Sequence, residues 1–271
     1  MSLHGGKVGI VLMAFDLGYD EGGSGDDLLV SVQIGITQQA RRFRRHWRKR
    51  LGAVEYFHSK DLWNFTQGPF TRAGLNRPAR ELMLSDLSGY IHAHLSLGIT
   101  AKISQSLYDD NTTQVFRSRI GAAYGFTVSA LLVCAYLWMQ RMHICPEVNI
   151  VIERGHRNAS GALLLLDRWR QMPFLQNLEG LKILSVGLGD KSDHPILQAA
   201  DMLAYSKYQH IIKGDRAIYD ALHKRGSRYH PETLTLDLDL IKEAQVQPAI
   251  IKQRMKDYWH NKPRDENDNK Q

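Results

Sequence analysis

Three acids in this chain stand where carboxylates can do chemistry. Asp16 closes an apolar run at residues 8–15, and Glu153 closes a β-branched run at residues 148–152. Asp201 sits inside an apolar helical segment, with Ala200, Leu203 and Ala204 as neighbours and Leu197 and Tyr205 about a turn away. A carboxylate on a face that should be buried costs several kcal/mol unless a partner or a metal compensates it. Acids at the carboxyl ends of neighbouring strands point into the crevice where open α/β sheets bind ligands, and Asp201, on the helix after the last strand, can reach the same crevice. Carboxylates drawn together repel one another and are tolerated mainly when divalent cations neutralise them. That is the composition of a two-metal phosphodiesterase site. Taken singly, each acid also has a plain structural role: Asp16 as a turn residue, Glu153 as a partner for Arg154 or Arg157, and Asp201 as an acid on a half-exposed helix.

The elements that must position these acids follow from hydrophobic periodicity. Residues 8–15 and 28–36 read as two antiparallel strands, joined by a glycine and acid cluster at residues 18–27 that reads as a hairpin loop. A helix is expected over residues 40–51, where Ala40, Phe43, Trp47 and Leu51 recur at helical spacing. Further helices are expected over 78–94, 116–142, 159–170, 217–223 and 248–259, with strands at 97–104, 148–152 and 181–188. Strands that first pair locally and then alternate with helices indicate an α/β mixed sheet with helices on its faces. The division expected is one domain over residues 1–212, a helical extension over 213–260 and a disordered polar tail over 261–271.

The chain has 271 residues and a formal net charge of +7, and such an excess of Lys and Arg attracts polyanions at long range. The helix over residues 40–51 carries Arg41, Arg42, Arg44, Arg45, Arg48, Lys49 and Arg50 and no acid. Surface helices ordinarily mix signs, so Arg41, Arg44, Arg45, Arg48 and Lys49 are candidates for phosphate contact, beside the plain reading of a solvated charged face. Cys134 and Cys145 match neither a zinc ribbon nor a redox pair, which makes a reducing cytoplasm the default. Residues 121–140 carry no charge and approach the length of a membrane span. Basic residues flank that segment on both sides, and a span would place the acids on opposite sides of a bilayer, so a buried core helix and no membrane are expected.

Phe57-His58-Ser59-Lys60-Asp61-Leu62, Ile150-Val151-Ile152-Glu153-Arg154, and Lys191-Ser192 leading to Leu197-Gln198-Ala199-Ala200-Asp201 resemble the motifs of an RNase H-like family described as domain of unknown function 3800. The resemblance covers residues 8–212. It implies an RNase H-like mixed sheet flanked by helices and metal-dependent cleavage of nucleic acid, with Mg²⁺ or Mn²⁺ held by Asp16, Glu153 and Asp201. The family's opening Asp-Glu-Ser-Gly is absent. The chain offers Asp16-Leu17-Gly18 and then Asp20-Glu21-Gly22-Gly23-Ser24, and Asp16 is preferred as first ligand because it ends a strand whereas Asp20 lies in a loop. Glu153 stands where an Asp is more usual, and its extra methylene changes the metal spacing. These departures leave open a second class of function: a catalytically inactive nucleic-acid-binding or interaction module, for example in a mobile-element or phage-defence system with partner proteins or as a homo-oligomer.

Other residues carry weaker expectations. Glu55, His58 and Asp61 are spaced to share one helical face, and His58 beside Phe57 also reads as a packed core residue. Asp190 and Asp193 flank Ser192 and either add a ligand or cap the following helix. Lys191 either neutralises a scissile phosphate or is an ordinary loop lysine.

Overall fold

The structure, a computed structural model, describes residues 12–24, 26–171, 180–223, 229–247 and 249–261. Strand β1 (Leu12–Ser24) and strand β2 (Asp27–Ile36) pair antiparallel, from Phe15 opposite Ile36 to Ser24 opposite Asp27. Residues 18–24 are therefore strand, which corrects the expected hairpin loop over 18–27. Their glycines and acids are poor strand formers, but β2 pairs with them throughout, while β4 (Cys145–Glu153) runs parallel to β1 on its other side as far as Tyr19. Residues 8–11 of the expected first strand lie outside the described residues.

Helix α1 (Thr37–Leu51) buries Ala40, Phe43, Trp47 and Leu51, the stripe its periodicity predicts. A 3₁₀ turn at Ser59–Asp61 and α2 (Pro69–Arg72) lead to α3 (Arg77–His94), whose first turn is capped by Asn76 accepting from the Ala79 amide. Strand β3 (Leu97–Ser104) pairs antiparallel with β2. The long helix expected over residues 116–142 is divided, after α4 (Gln105–Asn111), into α5 (Gln114–Ile120) and α6 (Ala123–Arg141). Gly121 separates the last two with φ of 91°, a left-handed geometry that glycine adopts without a Cβ clash. After β4 come α7 (Ala159–Gln171), β5 (Lys182–Gly189), which runs parallel to β4, and α8 (Pro195–Tyr208). The chain continues through α9 (Ala217–Leu222), β6 (His230–Thr235), α10 (Leu238–Val246) and α11 (Ile250–Asn261).

The result is an α/β protein with a mixed six-stranded sheet in the order β5-β4-β1-β2-β3-β6, an arrangement consistent with an RNase H-like sheet. The segment after residue 212 is not helical throughout, because β6 adds a parallel edge strand beside β3. The expected tail over 261–271 lies, beyond Asn261, outside the described residues.

Two cores sandwich the sheet. Phe15, Leu17 and Tyr19 of β1 face α6, which is packed with α7 and α11, and α10 adds Leu240, Ile241 and Ala244 to the same core. The apolar window of α6 is 94% buried inside the protein, as expected of a core helix apolar on all sides. The alternate residues of β1, Asp16, Gly18, Asp20 and Gly22, face α8, which shares the second core with α1, α3 and α9. Small residues let α8 lie directly on β1: a Cβ on Gly18 would sit 2.7 Å from Ile196 Cγ2 and 3.0 Å from its carbonyl carbon, and one on Gly22 would sit 3.1 Å from the Ala204 Cβ. Gly18→Ala should therefore lift α8 and cost about 1–3 kcal/mol of stability in a urea titration; an unchanged midpoint would mean that α8 is not seated this way. That seating brings the helix's carboxylate against the strand's.

Candidate active site

Helix α8 is buried along almost its whole length, and Asp201 with it, at 5% exposure. The half-exposed helix is thus excluded, and Asp201 requires compensation. Its Oδ2 accepts a hydrogen bond from the Ser59 amide at 2.7 Å, and its Oδ1 accepts one from Lys191 Nζ at 2.8 Å. The same ammonium lies 2.8 Å from Oδ2 of Asp20, which is 1% exposed on β1. One lysine therefore bridges two buried carboxylates at the carboxyl end of β1, the place where open α/β sheets bind ligands.

Gln198, one helical turn before Asp201, explains why the sequence folds this way locally. Its Oε1 accepts from Trp47 Nε1 of α1 at 2.8 Å and from the Phe57 amide at 2.7 Å, while its Nε2 donates to the Lys191 carbonyl at 2.6 Å. Residues three apart share a helix face, so Gln198 and Asp201 clamp the backbone of Phe57 and Ser59 side by side, and Gln198 also fixes the loop that carries Lys191.

The electrostatics follow from burial. Desolvation pushes the Asp20 carboxyl well above the ordinary carboxylate range; the Lys191 charge opposes the shift, while Asp201 and Glu153 reinforce it by repulsion. Burial works against the Lys191 charge, but Asp201 and Asp20 outweigh it and hold the ammonium above its usual value. Only with both carboxylates ionised would the cluster carry a net negative charge, and the raised Asp20 value works against that state.

The structure does not bring Asp16 into this cluster. Asp16 lies four residues back on the same face of β1, about 13 Å away at about 3.3 Å per residue, and accepts hydrogen bonds from Thr37 Oγ1 and Asn149 Nδ2. Asp20, the alternative to Asp16 in the sequence, is the acid of β1 that shares Lys191 with Asp201. Glu153 ends β4 just past the Tyr19/Ile152 pair and acts on the Asp20 charge, but its carboxylate folds over Gly155, where a Cβ would lie 2.8 Å from Oε1. Its expected partners are engaged elsewhere, Arg154 with Asp190 at 3.0 Å and Arg157 with Gln105 at 3.2 Å.

The remaining candidates divide. Glu55, His58 and Asp61 share no helix face: Glu55 pairs with Arg72 on the surface, while the 3₁₀ turn sets Asp61 Oδ2 3.0 Å from His58 Nδ1. His58 is half-buried at the cluster's mouth rather than packed in the core, with Nε2 3.8 Å from Asp201 Oδ1. Ser192 is exposed, and the carbonyl of Asp193 accepts from Arg48 at 2.7 Å. Asp190 and Asp193 stand outside the cluster. Glu21 points to the opposite face of the sheet, 2.6 Å from His156 Nε2. His156 stacks on Tyr124 with ring centroids 4.0 Å apart, and burial, together with the charges of Asp20, Glu21 and Glu153, raises the Tyr124 hydroxyl's pKa well above its usual value. Neither His156 nor Tyr124 was assigned a role from the sequence, where Tyr124 is one of several polar side chains in α6. Of the basic residues of α1, Arg41 and Arg44 border a separate cleft, and Arg45 and Lys49 are exposed.

Carboxylate oxygens suit Mg²⁺ and Mn²⁺, and Asp20 and Asp201 converge on the single cation position that Lys191 Nζ takes. Among the described residues no group of three His, Cys, Asp or Glu side chains is arranged to hold a metal. Asp20 and Asp201 thus offer two carboxylates at a position the Lys191 ammonium fills, and an ion there would have to displace it. No protein-family model matches the chain, and a search of curated proteins finds no match.

Proposed function

We propose that this chain is a divalent-cation-dependent phosphodiesterase acting on nucleic acid in a cytoplasmic setting. The observation that carries the reading is the convergence of two buried carboxylates, Asp20 and Asp201, on one cation position at the carboxyl edge of the sheet. Asp20 and Asp201 would hold Mg²⁺ or Mn²⁺ there, and the ion would supply Lewis-acid polarisation of a phosphate and activation of water. Lys191, released from that position, pairs with a phosphate oxygen. His58, whose Nδ1 faces Asp61, presents Nε2 3.8 Å from Asp201 Oδ1. The basic face of α1 attracts the polyanion.

A specific observation favours a second reading. Lys191 already neutralises part of the cluster without any metal, which is what a non-catalytic nucleic-acid-binding module that had lost turnover would show. The two readings separate in one assay: end-labelled single-stranded and duplex DNA, RNA and hybrid, incubated with Mn²⁺, Mg²⁺ or EDTA. The phosphodiesterase cleaves at least one substrate with metal and none with EDTA. Asp201→Asn should lower the rate by more than about 100-fold, since removing even an outer-shell partner costs 10- to 100-fold, while thermal melting confirms that the variant is folded. Binding without cleavage of every substrate would establish the second reading.

A further inference from the structure

A second cavity lies on the α8 side of the sheet, away from the carboxylate cluster. It is a cleft of about 450 Å³ between α1, the first turn of α8 and the face of β4 and β5, within the range of roughly 300–1,000 Å³ typical of small-molecule sites. Its floor is a row across three adjacent strands: Asp16 on β1 is paired with Asn149 on β4, and Asn149 with Ser185 on β5. The row is hydrogen bonded end to end, Ser185 Oγ donating to Asn149 Oδ1 at 2.9 Å and Asn149 Nδ2 to Asp16 Oδ1 at 3.2 Å. Thr37 Oγ1 adds a third bond to the same Asp16 oxygen at 3.0 Å. Its wall carries Arg41 and Arg44, one helical turn apart and both exposed. Arg50 of the same helix is paired with Asp86, whereas among the described residues neither Arg41 nor Arg44 meets a carboxylate. His194 stands on the opposite wall, and burial, with Arg44 and Arg48 nearby, depresses its pKa and favours the neutral ring.

We propose that this cleft binds a nucleoside phosphate, its phosphate on Arg41 and Arg44 and its base or sugar on the Asp16–Asn149–Ser185 row. The chemistry is two-sided. Guanidinium pairs grip phosphate oxygens in fork geometry. The floor offers a carboxylate acceptor and a hydroxyl, the groups that read amino and hydroxyl hydrogens of a nucleoside. A purely anion-binding site has no use for Asp16, and a purely apolar pocket has none for the arginines. The unit comes either from a free mononucleotide or from a nucleic-acid strand, and in the latter case the proposal rests on the nucleic-acid reading above. The roughly 13 Å between Asp16 and Asp20 along β1 then separates the bound unit from the carboxylate cluster.

The test uses the full chain in EDTA, so that no turnover intervenes. Titration calorimetry with the four ribonucleoside 5′-monophosphates forms one arm, and fluorescence anisotropy with a labelled 12-nucleotide single strand forms the other. Both are run on wild type and on the double variant Arg41→Glu/Arg44→Glu, whose exposed positions leave the fold intact by thermal melting. Binding in the first arm identifies a free-nucleotide site and binding in the second alone a strand subsite; in either case the variant should weaken binding at least tenfold and flatten its salt dependence. Affinity within twofold of wild type in the variant, or no binding of either probe by wild type, overturns the proposal. Failure here is distinct from failure of the phosphodiesterase reading: metal-dependent cleavage with an unaffected double variant removes the cleft alone, whereas EDTA binding lost in the variant, without cleavage by wild type, removes the enzyme alone.

Discussion

Lys191→Met should lose about 3–5 kcal/mol of stability without metal, and Mn²⁺ should return much of it. The ammonium is 14% exposed and lies 2.8 Å from both Asp20 and Asp201. Methionine fills much the same volume but leaves two buried carboxylates facing each other with no counter-charge, and removing one partner of a buried ionic group costs about that amount. An ion binding only the folded chain at about 100 times its dissociation constant returns about 2.7 kcal/mol. Wild type should gain less, because an ion must displace Lys191 before it binds, so Lys191→Met should bind Mn²⁺ more tightly than wild type. Urea titrations of both proteins in EDTA and in Mn²⁺ measure all four quantities. A variant as stable as wild type and indifferent to Mn²⁺ would show that Lys191 neutralises nothing and that the position between the carboxylates holds no cation.

The second large effect runs the other way. Asp20→Asn should leave stability unchanged or raise it by up to about 2 kcal/mol near neutral pH, the gain expected when a strained functional residue is relieved. Burial disfavours the ionised Asp20, and repulsion from Asp201 and Glu153 adds to the strain. The substitution leaves Lys191 and Asp201 as a one-to-one pair. The pH dependence follows in sign. In the unfolded chain the carboxyl titrates near 3.9, whereas in the folded chain it keeps its proton to higher pH. The stability contributed by that proton is complete below about pH 3.9 and is lost as pH rises through the raised folded value. Subtracting the Asp20→Asn profile from that of wild type isolates this decline. A difference profile that rises with pH over the same window would mean that Asp20 is stabilised as the anion and that the cluster is not strained.

Much of the frame was legible in the sequence because it rests on one-dimensional periodicity. The Ala40, Phe43, Trp47, Leu51 stripe of α1 and the runs that became β2, β3, β4 and β5 lie within a few residues of where the pattern put them. Asp201 was identified because a single charge interrupts an apolar helix. Asp20 was named but ranked below Asp16, because residues 18–24 have the glycine and acid composition of a loop. They are a strand because β2 pairs with them throughout and because α8 needs small residues beneath it, and neither fact is local. The strand β6 was hidden by Pro231, which an edge strand tolerates. Lys191 was visible as a loop lysine, but not as the counter-charge of two acids far from it in sequence. The cleft has no sequence signature, since its floor is assembled from three strands.

Whether Asp20 holds the ion is decided by Mn²⁺-dependent cleavage of the best polynucleotide substrate by wild type, Asp20→Asn and Asp16→Asn, measured side by side. Asp20→Asn should lose more than about 100-fold in kcat, as a residue holding the ion should, while Asp16→Asn should retain kcat and change KM alone. Wild-type turnover in Asp20→Asn, or no cleavage of any polynucleotide by the wild-type chain, would contradict that role.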